Sequence, residues 1–123
     1  MNIYTDAREQ IVTALTTAGV TAYGYTPPTL VPPCVIVEPG EQWITPDRIG
    51  GKSYAVEFTA TAHVSLIDAN AAITGLEALI TDTLAALPAG VHSTTVASPE
   101  VDGTGSQGET LAAAILLTAQ VRE

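Results

Sequence analysis

Positive charge is scarce in this sequence: four basic residues, Arg8, Arg48, Lys52 and Arg122, stand against thirteen acidic ones, a formal net charge of −9. Binding a phosphate backbone requires Lys and Arg laid along it to release counterions, and four scattered cations make no basic groove. Direct, sequence-specific nucleic-acid recognition is therefore not expected, although an acidic wall repels DNA and lets it slide past. Cysteine is scarcer still. Cys34 is alone, which excludes an internal disulfide and argues against a structural zinc site. It reads as a small buried hydrophobe at the start of a strand. No apolar run approaches the roughly 20 residues of a membrane span, so no membrane partner is expected. The opening Met1-Asn2-Ile3-Tyr4-Thr5-Asp6 lacks the basic and apolar regions of a signal peptide, and the expected site of synthesis is a cytoplasm.

The 123 residues make one domain's worth of chain, read as a single domain over 1–123. A domain of that size buries roughly two-thirds of its unfolded surface and supports a core without staples. With 46% hydrophobic and only 14% charged residues, much neutral or apolar surface is left outside, as in proteins that meet partners.

The hydrophobic periodicity predicts an amphipathic helix over 5–18, with Thr5 or Asp6 at its cap, Ala7, Ile11, Ala14, Leu15 and Ala18 on one face, and Gly19 as its stop. A short strand is expected over 22–25. Two proline pairs follow in 27–33, then a β-branched strand over 34–38 that Pro39-Gly40 ends. Residues 40–52 read as a polar loop. From Tyr54 the even positions Val56, Phe58, Ala60, Ala62, Val64 and Leu66 alternate with Glu57, Thr59, Thr61, His63 and Ser65, the pattern of a strand with one buried and one solvated face. A second helix, capped by Asp68 or Asn70, runs to about Leu87 with Ile73, Leu76, Leu79, Ile80, Leu84 and Leu87 on its inner face. A strand over 91–97 and a glycine-rich loop over 98–108 come next. The segment 109–121 alternates like a strand, although its three consecutive alanines also suit a helix; the strand is the reading adopted. The order α-β-β-β-α-β-β predicts an α+β fold, a mostly antiparallel sheet with two helices packed on one face.

Motifs with chemical meaning are few. Gly103-Thr104-Gly105-Ser106-Gln107-Gly108 spells G-x-G-x-x-G, but the sequence ends 15 residues later, too soon for the helix, strand and acidic residue of a dinucleotide site. It reads as a hairpin loop. Ser65, His63 and Asp68 sketch a hydrolytic triad with no nucleophile elbow or oxyanion hole. His63 and His92 are 29 positions apart, and Glu100, Asp102 and Glu109 lack the spacing of a calcium loop. No catalytic residue, cofactor or metal is assigned, and the chain reads as a non-enzyme. Trp43 is the only tryptophan and shares its loop with Arg48 and Lys52. It is either an interface anchor or a lid folded back on the core. With so negative a chain, Arg48 and Lys52 suit pairing with acidic residues of a neighbouring copy, and Glu100 and Asp102 of the 98–108 loop complete the candidate interface.

The run from Tyr23-Gly24-Tyr25 through Pro32-Pro33-Cys34-Val35-Ile36-Val37-Glu38-Pro39-Gly40, the long alternating strand, the helix ending Leu84-Ala85-Ala86-Leu87-Pro88-Ala89-Gly90 and the final strands resemble the tail terminator, or tail completion, proteins of long-tailed bacteriophages, in particular those of actinobacterial hosts. The likeness spans nearly the whole chain. It implies a virion structural protein of the head-proximal tail end, assembled in the host cytoplasm: a homohexameric ring that caps the tail tube protein, ends its polymerisation and offers a docking surface to the head–tail connector protein, with the genome passing through. The alternatives are a head–tail connector or neck subunit of the same virion and, from another class, a small-ligand binding domain. The family brings no catalytic residues to carry over.

Overall fold

The fold was described from a computed structural model, in residues 3–24, 33–46, 53–66, 69–88, 90–102 and 110–122. The elements follow the order α1 (Ile3–Thr17), β1 (Ala22–Tyr23), β2 (Cys34–Pro46), β3 (Ser53–Ser65), α2 (Ala69–Ala86), β4 (Val91–Val96), β5 (Glu100–Asp102) and β6 (Thr110–Arg122). The six strands make one sheet in the order β1-β2-β3-β6-β4, with β5 also on β6. Only β1 and β2 run parallel; every other pairing is antiparallel. The α+β class and the expected order hold, with β5 added inside the segment read as a loop.

The centre of the sheet is β3 against β6, in register without interruption from Ser53↔Arg122 to Ser65↔Thr110. That pairing explains why Ala112-Ala113-Ala114 is strand and not helix. β6 has β3 on one side and β4 and β5 on the other, so its backbone groups are satisfied laterally along most of its length. Alternation then sends Val56, Phe58, Ala60, Ala62 and Val64 of β3 and Leu111, Ala113, Ile115, Leu117 and Ala119 of β6 to one buried face. Ile11 and Leu15 of α1 and Leu76 of α2 join the same buried cluster as Ala60, Ala62 and Ala113. Both helices thus cover the same face.

Helix α1 begins at Ile3, earlier than expected, so Thr5 and Asp6 lie within its first turn. Ala7, Ile11 and Leu15 are buried as the periodicity predicts, whereas Ala14 is half-buried and Ala18 exposed. Its C-terminus is a Schellman closure. The Val20 N–H donates to the Leu15 carbonyl at 2.9 Å and the Gly19 N–H to that of Thr16 at 3.1 Å, with Gly19 at φ +91°. Leu15 and Val20 are both buried in the core at this turn.

Helix α2 brings Leu76, Leu79, Ile80, Leu84 and Leu87 to the core as expected and corrects one member of the predicted face, Ile73. Ala72, Leu76 and Thr83 are buried, and Ile73 is 47% exposed. Leu79, Ile80 and Leu84 pack beside that line. The helix is turned so that a small residue meets the sheet in place of Ile73. Thr83 is accommodated because its hydroxyl donates to the Leu79 carbonyl at 2.7 Å. Of the two cap candidates, Asn70 lies inside the first turn and Asp68 falls outside the described residues. No helix among the described residues is long and apolar enough to cross a membrane.

Strand β2 corrects a second expectation. Pro39-Gly40 does not end it: the strand continues to Pro46 through a bulge. Pro39 still pairs with Phe58, pairing resumes at Ile44↔Val56, and residues 40–43 stand opposite Glu57 alone. Among the described residues β1 covers only Val35 and Ile36 of the outer edge, so Pro39 lies where a missing N–H is tolerated. Gly40 is needed at the bulge because a Cβ there would come within 2.8 Å of the Glu57 Cβ.

Candidate interaction surface

Among the described residues, neither helix packs on the other face of the sheet. Register sets its composition: Cys34–His63–Ala112, Ile36–Thr61–Ala114 and Glu38–Thr59–Leu116 form rows across β2, β3 and β6, followed by Glu57–Thr118 and Ala55–Gln120. Methyl and hydroxyl groups dominate it. Thr59, Thr61, Ala114, Leu116 and Thr118 are half-buried, and the charged members are Glu38, Glu57 and, from β5, Glu100. The Ser53–Arg122 pair continues the same rows by register.

One corner of the face is buried. Cys34 and Ile36 pack with Tyr23 in a small cluster of their own. His63, the register partner of Cys34, is only 5% exposed, which corrects the expectation of a solvated histidine. Its Nδ1 lies 3.4 Å from the Thr110 hydroxyl, across β6. Ser65 is exposed and Asp68 lies outside the described residues, so His63 is joined to a threonine and the sketched triad gains no support. Burial pushes the Cys34 thiol up from its ordinary value, because desolvation disfavours the thiolate. Cys34 is thus the buried small hydrophobe read from the sequence.

Beside this corner, where β4 gives way to β5, lies an open groove of about 440 Å³ lined by Thr61, Ala97, Ser98, Glu100, Val101, Ala112 and Ala114. Ala97 fixes the step between the two edge strands, its N–H donating to the Ala114 carbonyl at 2.8 Å. Ala97, Ala112 and Ala114 give methyl groups, Thr61 and Ser98 bear hydroxyls, and among the described lining residues the ionisable one is the exposed Glu100. Along the same edge Val96 and Val101 are 40% and 59% exposed. No sequence signal singled out this groove, since it depends on β5 pairing with β6.

The candidate interface residues are dispersed. Glu100 opens β5 opposite Ala112, and Asp102 closes it opposite Thr110. Trp43 falls in the β2 bulge, on the far edge of the sheet. Arg48 and Lys52 lie outside the described residues, as does the glycine motif at 103–108. His92 is exposed. Among the described residues no three metal-ligand side chains converge, and no buried side-chain nitrogen or oxygen lacks a partner.

No protein-family model matches the chain, and comparison with curated proteins finds no significant relative.

Proposed function

We propose that the chain is a structural assembly subunit, and within that class a tail-terminator-like protein of a long-tailed bacteriophage. In this reading copies form a ring on the head-proximal end of the tail tube, stop its polymerisation and present a surface to the head–tail connector. The observation that carries the reading is the one-sided fold. Two helices cover one sheet face, and the other, outside its buried corner at Cys34 and His63, presents half-buried, mostly uncharged side chains among the described residues, bounded by two dissimilar edges. Such a surface suits flat contact with other subunits, and dissimilar edges suit the heterologous interface that a ring requires. The element order supports the same likeness that the sequence carries.

The Glu100 groove favours one second reading, a small-ligand binding domain, because its volume falls in the range of ligand sites. Its described lining sets one carboxylate, Glu100, beside the hydroxyl residues Thr61 and Ser98 in an open groove, and no three metal-ligand side chains converge there among the described residues.

Native mass measurement over a wide concentration range, with negative-stain images, tests the proposal. Six-membered rings with a central hole, or rings formed on the ends of purified tail tubes, are expected. A chain that neither assembles by itself nor blocks elongation of tubes overturns it.

A further inference from the structure

We infer that the open flank of α2 receives an amphipathic helix of a partner protein, one whose apolar stripe is bordered by lysine or arginine. At this flank the helix layer stops short of the sheet. α2 packs on β3 and β6, whereas β4 and β5 pair with β6 on its far side. Register gives Val96 the partner Ile115, and gives Val101, which also borders the Glu100 groove, the partner Leu111. Opposed residues share a face, and Ile115 and Leu111 belong to the core beneath the helices. Val96 and Val101 thus lie on the helix side, yet they are 40% and 59% exposed.

α2 turns a third residue to the same flank. A Cβ on Gly75 would point at Val64 of β3, 4.0 Å away. Ile73, two residues earlier at about 100° per residue, leaves the helix on the opposite side, toward the β4–β5 edge. β3 and β4 each run antiparallel to β6 and so parallel to each other, and a right-handed crossover through α2 gives Ile73 the same direction. Ile73, Val96 and Val101 are the exposed large hydrophobic residues among the described ones, and all three border this flank.

Size selects a helix as the occupant. The β6 partners of Val96 and Val101 are four positions apart, about 14 Å, the length of about nine helical residues. Packed helices lie about 8–10 Å apart, roughly twice the strand spacing, so one more helix fits beside α2 above β4 and β5.

Charge selects its partner. From Ser53 to Val121 the sequence holds seven carboxylates and no Lys or Arg. The formal charge of α2, β4 and β5 is therefore only negative, and Glu77 stands exposed one turn beyond Ile73. Arg8 lies at the other edge of the sheet, in a cleft with Gly24 just after β1. Arg122 is seven positions along β6 from Ile115, about 24 Å. A second copy docked flank to flank would set Glu77 against like charge, and an anionic membrane would be repelled. Basic residues beside an apolar stripe complement both features of the flank.

The test is fluorescence anisotropy with two labelled peptides of Leu, Ala and Lys, each about 18 residues long. One carries its leucines at i, i+3, i+4 and i+7 spacing, and the other is a scramble of the same composition; each is titrated with the full chain. The patterned peptide is expected to bind at least about tenfold more tightly than the scramble. Ile73→Gln/Val101→Gln, which leaves the net charge at −9, should abolish that preference. Val96→Gln should reduce it from β4, a second check should the change in α2 disturb the thermal melt. Glu77→Gln should weaken binding of the patterned peptide, whereas Glu9→Gln in α1 should not. Equal binding of the two peptides, or a preference that survives in the folded variants, overturns the proposal. Sedimentation velocity reads the rival occupant: self-association of the parent that Ile73→Gln/Val101→Gln removes gives the flank to a second copy, and also overturns it.

Discussion

Gly40 approaches Glu57 so closely that a Cβ added to it would stand 2.8 Å from the Glu57 Cβ and 3.1 Å from its carbonyl carbon. Glu57 is fixed by the central β3–β6 pairing, so the bulged edge strand must yield. Gly40→Ala is therefore expected to cost about 1–3 kcal/mol, as small-to-large changes at packed sites do. Gly75 is the control. Its nearest neighbour to a new Cβ is Val64 Cγ1 at 4.0 Å, an ordinary contact, and it lies inside α2. Gly75→Ala is expected to stabilise by about 0.5–1 kcal/mol. Urea unfolding of both variants checks the pair, and the opposite order of stabilities would refute the bulge geometry.

Gly19 isolates a backbone effect. A Cβ there meets nothing within 4 Å, yet φ is +91°. Gly19→Ala is thus expected to lose about 1–2 kcal/mol from conformation alone. Gly19→Asn, which tolerates the left-handed region better, should recover part of the loss. Equal stability of all three chains in thermal melts would mean that the helix does not end in this closure.

The sequence revealed the elements whose environment is one-sided. β3 alternates because one face meets the helices, and Ile11 and Leu15 of α1 mark a stripe that the core covers completely. What it concealed depends on neighbours far along the chain. Hydropathy ranks Ile73 above Ala72, but the helix turns Ala72 inward, and Thr83 is buried because Leu79 offers it a carbonyl. Pro39 looks like a strand end until the sparsely covered edge beside it is seen. His63 looks solvated until Cys34 and Thr110 flank it from β2 and β6. Of the candidate interface residues, Glu100 borders a groove, and nothing in the sequence announces the alanine methyl groups beside it.

Cys34 gives a pH-dependent prediction. Its thiol titrates higher in the folded chain than its ordinary 9.0 because burial disfavours the thiolate. Its stabilising contribution is fully present below that unfolded value and is lost as pH rises through the folded one. Above pH 9.0 the parent chain should therefore lose stability more steeply than Cys34→Ala, the ionisations common to both chains cancelling in the comparison. Urea midpoints measured across that range provide the check. In addition, a thiol reagent at neutral pH should modify Cys34 only as fast as the chain unfolds; rapid modification of the native protein would contradict its burial.

Amide exchange distinguishes the strength of the central sheet from that of its edges. In the isolated chain the slowest amides should lie in the stretch of β6 that has β3 on one side and β4 on the other, Ile115 to Ala119, and in its β3 partners Val56 to Ala60. The three-residue β5 has β6 as its only partner among the described residues, and the two-residue β1 pairs only with β2, so both should exchange through local opening. If the groove is an assembly contact, raising the concentration should slow exchange of Ala97, Ser98, Glu100 and Val101 while the central amides of β6 stay as they were. Slowing confined to α2 instead would transfer the interface to the side of the exposed Ile73. Protection of β5 equal to that of central β6 at the lowest concentration would show that the edge is closed within one copy, and the groove would then have no partner to wait for.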